Sequence, residues 1–285
     1  MRSQSSRSSH RKLRAAAVVC AAVAVAGPAP AAAWAATAPQ AAPQGAPQAA
    51  PQGPARPAAA PTPDPFDGLT PAAIADRAVD ATRSADSLRM TGEVVTEGQD
   101  LSVDFSVDDR GACQGRIGVD DGRAELRRVD DITYMKGDES FWRTSMTAQG
   151  VPENQIAPVI ELVKGRWLKI APGQAGSSDL GEVCDLDSLL DDLGRDEEDR
   201  EGLTRGPDRE VDGTPVATLV KKDGDETTTV SVAQEGEPYI REVVRTGGDE
   251  PGTMTLSEFD RPVKVTAPPA DETVDLSRLD PGTPA

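Results

Sequence analysis

LSVDFSVD, Leu101 to Asp108, alternates without a break: Leu101, Val103, Phe105 and Val107 fall on one side, Ser102, Asp104 and Ser106 on the other. A period of two over that length describes a β-strand with one face buried and one face wet. The pattern extends in both directions. Upstream, SLRMTGEVVT places Leu88, Met90 and Val94 on one face. Downstream, CQGRIGVDDG alternates again and reaches a hairpin turn at Asp121-Gly122, followed by RAELRRV. Asp130-Asp131 then turns into ITYMK, and Gly137-Asp138 is expected to turn into a sixth strand, SFWRTS. Gly92, Gly115 and Gly118 inside these strands predict bulges or bends that let a sheet curl.

Helical patterns flank and interrupt this meander. Leu69 to Ser87 has Thr70 to cap, Pro71 for the first turn, and Ile74, Ala78, Val79 and Ala81 at helical spacing. Pro152 to Lys164 predicts a second helix, GRWLKIA another strand, and Asp185 to Leu193 a short helix with an acidic first turn. Strands resume with TPVATLVKK, ETTTVSVAQ, PYIREVVRT and GTMTLSEF. The plan is α+β, built on one large antiparallel sheet.

Aromatic residues make up 3% of the chain, yet Tyr134, Phe141 and Trp142 cluster in ITYMKGDESFWRTS. On a hairpin, Phe141 and Trp142 would point to opposite faces. The segment reads as a structural corner of the sheet, with the lip of a site as the alternative.

Before residue 64 the chain has a different character. Met1 to Arg14 carries five basic residues and no acid, and Leu13 to Ala26 is apolar but too short for a comfortable membrane span. With Ala33-Trp34-Ala35 behind it, residues 1–35 read as a secretory signal, an uncleaved anchor or a lipidated Cys20 being the alternatives. Residues 36–65, almost all Ala, Pro and Gln, have no apolar period and are expected to form a disordered spacer. The folded domain is then 66–280. The expected destination is the extracellular space or the cell envelope, with membrane association as a further alternative.

The chain has 30 Lys and Arg against 48 Asp and Glu. Residues 1–63 hold six of the bases and none of the acids, which leaves residues 64–285 with 24 against 48, a formal charge of −24. Such a surface repels nucleic acid, which is expected not to be a partner. The only histidine is His10, so the domain lacks the imidazole of a Ser/His/Asp triad or a zinc site. DLDSLLDD carries Asp185, Asp187, Asp191 and Asp192 but neither the turn glycine nor the distal glutamate of a calcium loop, and RDEEDREG (195–202) reads as a solvated charge run. No carboxylate pair can be nominated for glycoside cleavage. No enzyme, metal or cofactor is expected. With Cys20 in the signal, Cys113 and Cys184 are expected to pair as a disulfide, two buried thiols being the alternative.

The order of SADSLRMTGEV, GACQGRI, ITYMKGDESFWR, GRWLKI, VCDLDSLL, EVDGTPVATL, VSVAQEGEPYIREV and FDRPVKVTAPP resembles the LppX/LprG-type envelope lipoproteins of actinobacteria, and more remotely the LolA and LolB carriers. The resemblance implies a curled antiparallel half-barrel sheet with helices across its concave face, enclosing a cavity for acyl chains of lipids, glycolipids or lipoproteins. This chain departs from it in lacking a lipobox. The candidate lining is Met90, Val94, Leu101, Val103, Phe105, Ile117 and Val119. Those residues fit a ligand cavity if the helical cover is incomplete and a filled core if it is complete. The two expectations are a monomeric lipid-binding or carrier protein, with membrane or envelope proteins as candidate partners, and a cavity-less interaction module held out by its spacer.

Overall fold

The computed structural model describes residues 64–275 except 97, 175–176 and 192–199. The signal, Cys20, residues 36–63 of the spacer, Asp192 and much of the 195–202 charge run lie outside the described residues.

Each of the first five period-two segments is a strand: β1 (Ser87–Thr96), β2 (Gln99–Asp108), β3 (Cys113–Val119), β4 (Gly122–Val129) and β5 (Ile132–Gly137). They pair in chain order as antiparallel neighbours. Asp130 and Asp131 both have positive φ, 52° and 61°, the twist that a two-residue hairpin connection needs. The sixth expected strand is instead a helix, α2 (Glu139–Ala148). Asp138 decides this. Its Oδ1 accepts from Phe141 N at 2.8 Å, which caps the helix, while its Oδ2 accepts from Arg123 N at 3.0 Å, which ties the cap to β4. Phe141 and Trp142 therefore do not straddle a sheet. Both pack against the main core, edge to face, with centroids 5.4 Å apart.

The next elements are α3 (Glu153–Val163), β6 (Trp167–Ile170), α4 (Ser177–Val183) and α5 (Leu186–Asp191). The second half supplies β7 (Thr204–Arg205), β8 (Arg209–Val211), β9 (Thr214–Asp223), β10 (Glu226–Ala233), β11 (Ile240–Thr246) and β12 (Gly252–Ser257). β12 pairs with β1, which joins the two halves into one unclosed, curled sheet of 13 strands. The last strand, β13 (Thr273–Asp275), lies beside β6 in parallel, so the sheet is mixed rather than purely antiparallel. Register runs unbroken through Gly92, Gly115 and Gly118, and the bulge falls between Ser231 and Val232 on β10–β11 instead. Gly92 answers to a close approach: a Cβ there would lie 2.2 Å from Thr253 O.

One face of the sheet, here the inner face, carries the core. α1 (Pro71–Arg83), capped by Thr70, buries Ile74, Ala78, Val79 and Thr82. Thr82 Oγ1 accepts from Ile240 N at 2.9 Å and so fixes α1 on β11. α5 adds Leu186 and Leu190 to the same cluster. Cys113 and Cys184, both fully buried, form a disulfide with a Cα separation of 5.4 Å, joining the start of β3 to the α4–α5 connection. Among the described residues no helix is long and apolar enough to cross a membrane.

Candidate functional site

Cross-strand register sorts the inner face into rows, and burial changes from row to row. The first row, Leu88, Val107 and Cys113, is sealed. In the second, Met135, Leu126, Phe105 and Leu256 are buried beneath the cover, with Met90 half-buried among them. The third row runs Gly137, Ala124, Ile117, Val103, Gly92, Met254, Val243, Val230 and Leu219; Gly137, Ala124 and Leu219 at its ends are buried, and the six between them are only half-buried. The fourth, Val119, Leu101 and Val94, is also half-buried. Apolar residues thus continue along the face after the full burial has stopped. In water that arrangement is unfavourable by ~25 cal/mol per Å² of apolar surface left uncovered.

Two neighbouring hollows border this part, the first of them also walled by the buried Ala78, Val79, Leu219 and Ile240. One, about 340 Å³, lies between α1 (Ala75, Ala78, Val79) and β9–β11 (Leu219, Val230, Ile240, Val243). The other, about 280 Å³, continues over Val94, Met254 and Gly252, and the two share Val243 and Arg245. Together they form a trough whose size falls in the range of small-ligand sites. Its rim is charged, with Lys221, Arg245 and Arg200 interleaved with Asp223, Glu226 and Glu250. Arg200 is ion-paired with Asp76, and Arg245 Nη1 lies 3.8 Å from Glu250 Oε2.

All seven residues expected from sequence lie on the inner face. Phe105 and Met90 sit in the filled half, Val103 and Ile117 in the third row, and Val94, Leu101 and Val119 in the fourth. Of the seven, Val94 borders the trough. The sequence reading did not name Leu219, Val230, Val243 and Met254, although the alternation in ETTTVSVA and GTMTLS marks Val230 and Met254.

A larger groove, about 1140 Å³, crosses the opposite, outer face. Thr91, Glu93, Ser102, Asp104, Arg116, Arg123, Glu125, Lys136, Thr253 and Thr255 wall it, and Val103 and Ile117 contribute to its floor as members of the strands it crosses. Much of its charge is already committed: Asp104 to Arg89 at 2.9 Å, Glu139 to Lys164 at 3.1 Å and to Arg143 at 3.2 Å, and Asp138 to the helix cap. Those hydrogen bonds, first from Lys164 and then from Arg143, hold the Glu139 carboxyl below its ordinary range. The groove is open and its ion pairs are largely solvated, so size alone does not make it the better candidate. Beside it, the guanidinium of Arg127 stacks over the buried Trp167 ring at 4.6 Å. No cluster of His, Cys, Asp or Glu suited to a metal ion occurs among the described residues.

No protein-family model matches the sequence, and no curated protein matches it. Solved structures are similar to it in fold. LprF from Mycobacterium bovis aligns with 70% of this chain and 96% of its own, at 15% identity and a TM-score of 0.47. The Mycobacterium tuberculosis lipoprotein LppX aligns with 69% and 98%, at 16% identity and a TM-score of 0.44. MucB in complex with MucA aligns with 75% of this chain and 60% of its own, at 15% identity and a TM-score of 0.31.

Proposed function

We propose that this protein is an exported, non-enzymatic binding or carrier protein for a lipid or similar amphiphile, whose tail lies in the inner-face trough. The carrying observation is the burial gradient. The inner face is sealed at Leu88 and Val107 but left half-exposed from Val103 and Ile117 to Met254, Val243 and Val230. An apolar tail laid there replaces water against side chains that the fold itself leaves uncovered, and a hydrocarbon chain suits a long, shallow apolar strip.

A second reading, a surface interaction module, is favoured by the exposed Val159 and Leu162 on α3, at 41% and 45% exposure. One variant separates the two. Val94→Asp places a carboxylate at the trough while disturbing only a half-buried position. Uptake of a fluorescent acyl-chain probe should fall at least tenfold, with a near-parental melting temperature. Uptake unchanged by the variant, or absent from the parent, would contradict the amphiphile reading.

A further inference from the structure

On the inner face, three side chains from adjacent strands stand in one row at the trough's rim. Thr228 on β10 pairs with Lys221 on β9 and with Arg245 on β11. Each lies two residues beyond a trough residue on its own strand: Lys221 after Leu219, Thr228 before Val230, and Arg245 after Val243. Alternation therefore brings all three to the same face as the apolar strip, and all three border the same hollow. Neighbouring strands are about 4.8 Å apart, so a hydroxyl is flanked by two cations at a spacing that one tetrahedral or planar anion can bridge.

We propose that this row holds the head of the ligand, and that the ligand is an anionic amphiphile with a phosphate-, sulfate- or carboxylate-type head on a single apolar tail. The inference rests on the amphiphile reading and adds its polar half. The tail runs from the row along Val230 and Val243 to Met254 and Val94, so head and tail sites are contiguous. The overall charge of −18 makes the location informative, because the general field of the molecule repels anions and a cationic row has to overcome it together with the carboxylates of the rim. Three carboxylates oppose the row: Asp223 borders the same hollow two residues beyond Lys221, which is itself not without a partner, and Glu226 and Glu250 stand by the other two members. Glu226 Oε1 accepts from Thr228 Oγ1 at 3.2 Å, and Glu250 lies near Arg245. At two members of the row a bound anion replaces an existing contact: Thr228 turns its hydroxyl from Glu226 to the head, and Arg245 exchanges a solvated 3.8 Å pair for a closer one.

The test compares dodecyl phosphate, dodecyl maltoside and inorganic phosphate by displacement of an uncharged fluorescent tail probe, below micellar concentrations, on the parent, Arg245→Gln and Glu226→Gln. Dodecyl phosphate should bind at least tenfold tighter than the maltoside, with a preference that shrinks as salt is raised. Arg245→Gln, at an exposed position, should abolish the preference without moving the melting temperature, and Glu226→Gln should increase it. Equal affinity for the two dodecyl ligands overturns the anionic head while leaving the tail site intact. Inorganic phosphate binding as tightly as dodecyl phosphate overturns the continuity of head and tail. Failure of both dodecyl ligands to displace the probe, or of the probe to bind, removes the amphiphile reading itself.

Discussion

Removing the Cys113–Cys184 bridge should cost the protein a large part of its stability. The two cysteines are separated by 71 positions in sequence. Closing a loop of that length in the unfolded chain removes entropy worth about 4 kcal/mol at 25 °C. For a domain of roughly 200 residues, 1 kcal/mol moves the melting temperature by about 2–4 °C, so the loss corresponds to roughly 8–16 °C. The fold itself should survive, because Leu186 and Leu190 still pack into the core and Leu190 O still accepts from Arg83 Nε at 3.3 Å. Cys113→Ala with Cys184→Ala, measured by calorimetry beside the parent, provides the value. The denaturant slope should rise slightly as the uncrosslinked chain exposes more surface. A double variant that melts within 2 °C of the parent, on the scale set by that conversion, would refute the loop-closure reasoning.

Two further outcomes follow from the packing. Phe105 is buried at 3% exposure, so Phe105→Ala should cost about 3–5 kcal/mol in chemical denaturation, and a cost under about 1 kcal/mol would mean that the closed half is hollow too. Burial, followed by the 2.5 Å hydrogen bond to Asp260 Oδ2, pushes the Tyr239 phenol up from 10.0 to about 12. The folded state thus holds this proton more tightly than the unfolded chain does. The resulting stability is fully present below pH 10 and is lost as pH rises towards 12. A pH series of melting temperatures should show that decline, and Tyr239→Phe should flatten it.

The sheet was legible in the sequence because alternation is a local property. Leu101, Val103, Phe105 and Val107 declare a face wherever the strand is placed, and register with β1 and β3 follows from short turns. The bridge was legible from the cysteine count together with the expectation of an oxidising compartment. SFWRTS was misread because Phe141 and Trp142 favour strands by propensity and the local cap signal of Asp138, three residues before Phe141, was taken for a turn; only its tie to Arg123 N, 15 residues back, lay beyond local reading. β13 was illegible for a related reason: three residues pair with Trp167, Leu168 and Lys169, more than 100 positions earlier, and no local pattern marks them. The depth of cover was also out of reach. Phe105 and Val103 look alike in sequence, yet one lies sealed under the helices and the other is half-exposed. That difference depends on which residues cover the face, not on anything written beside either residue.

The most direct test of the central claim is native mass spectrometry of the domain purified from its own host without detergent. The account expects a species heavier than the polypeptide by the mass of one small amphiphile, lost on denaturation and recovered in an organic extract as an anionic lipid. A mass equal to the disulfide-bonded polypeptide alone, from a preparation that also takes up no dodecyl phosphate, would contradict it.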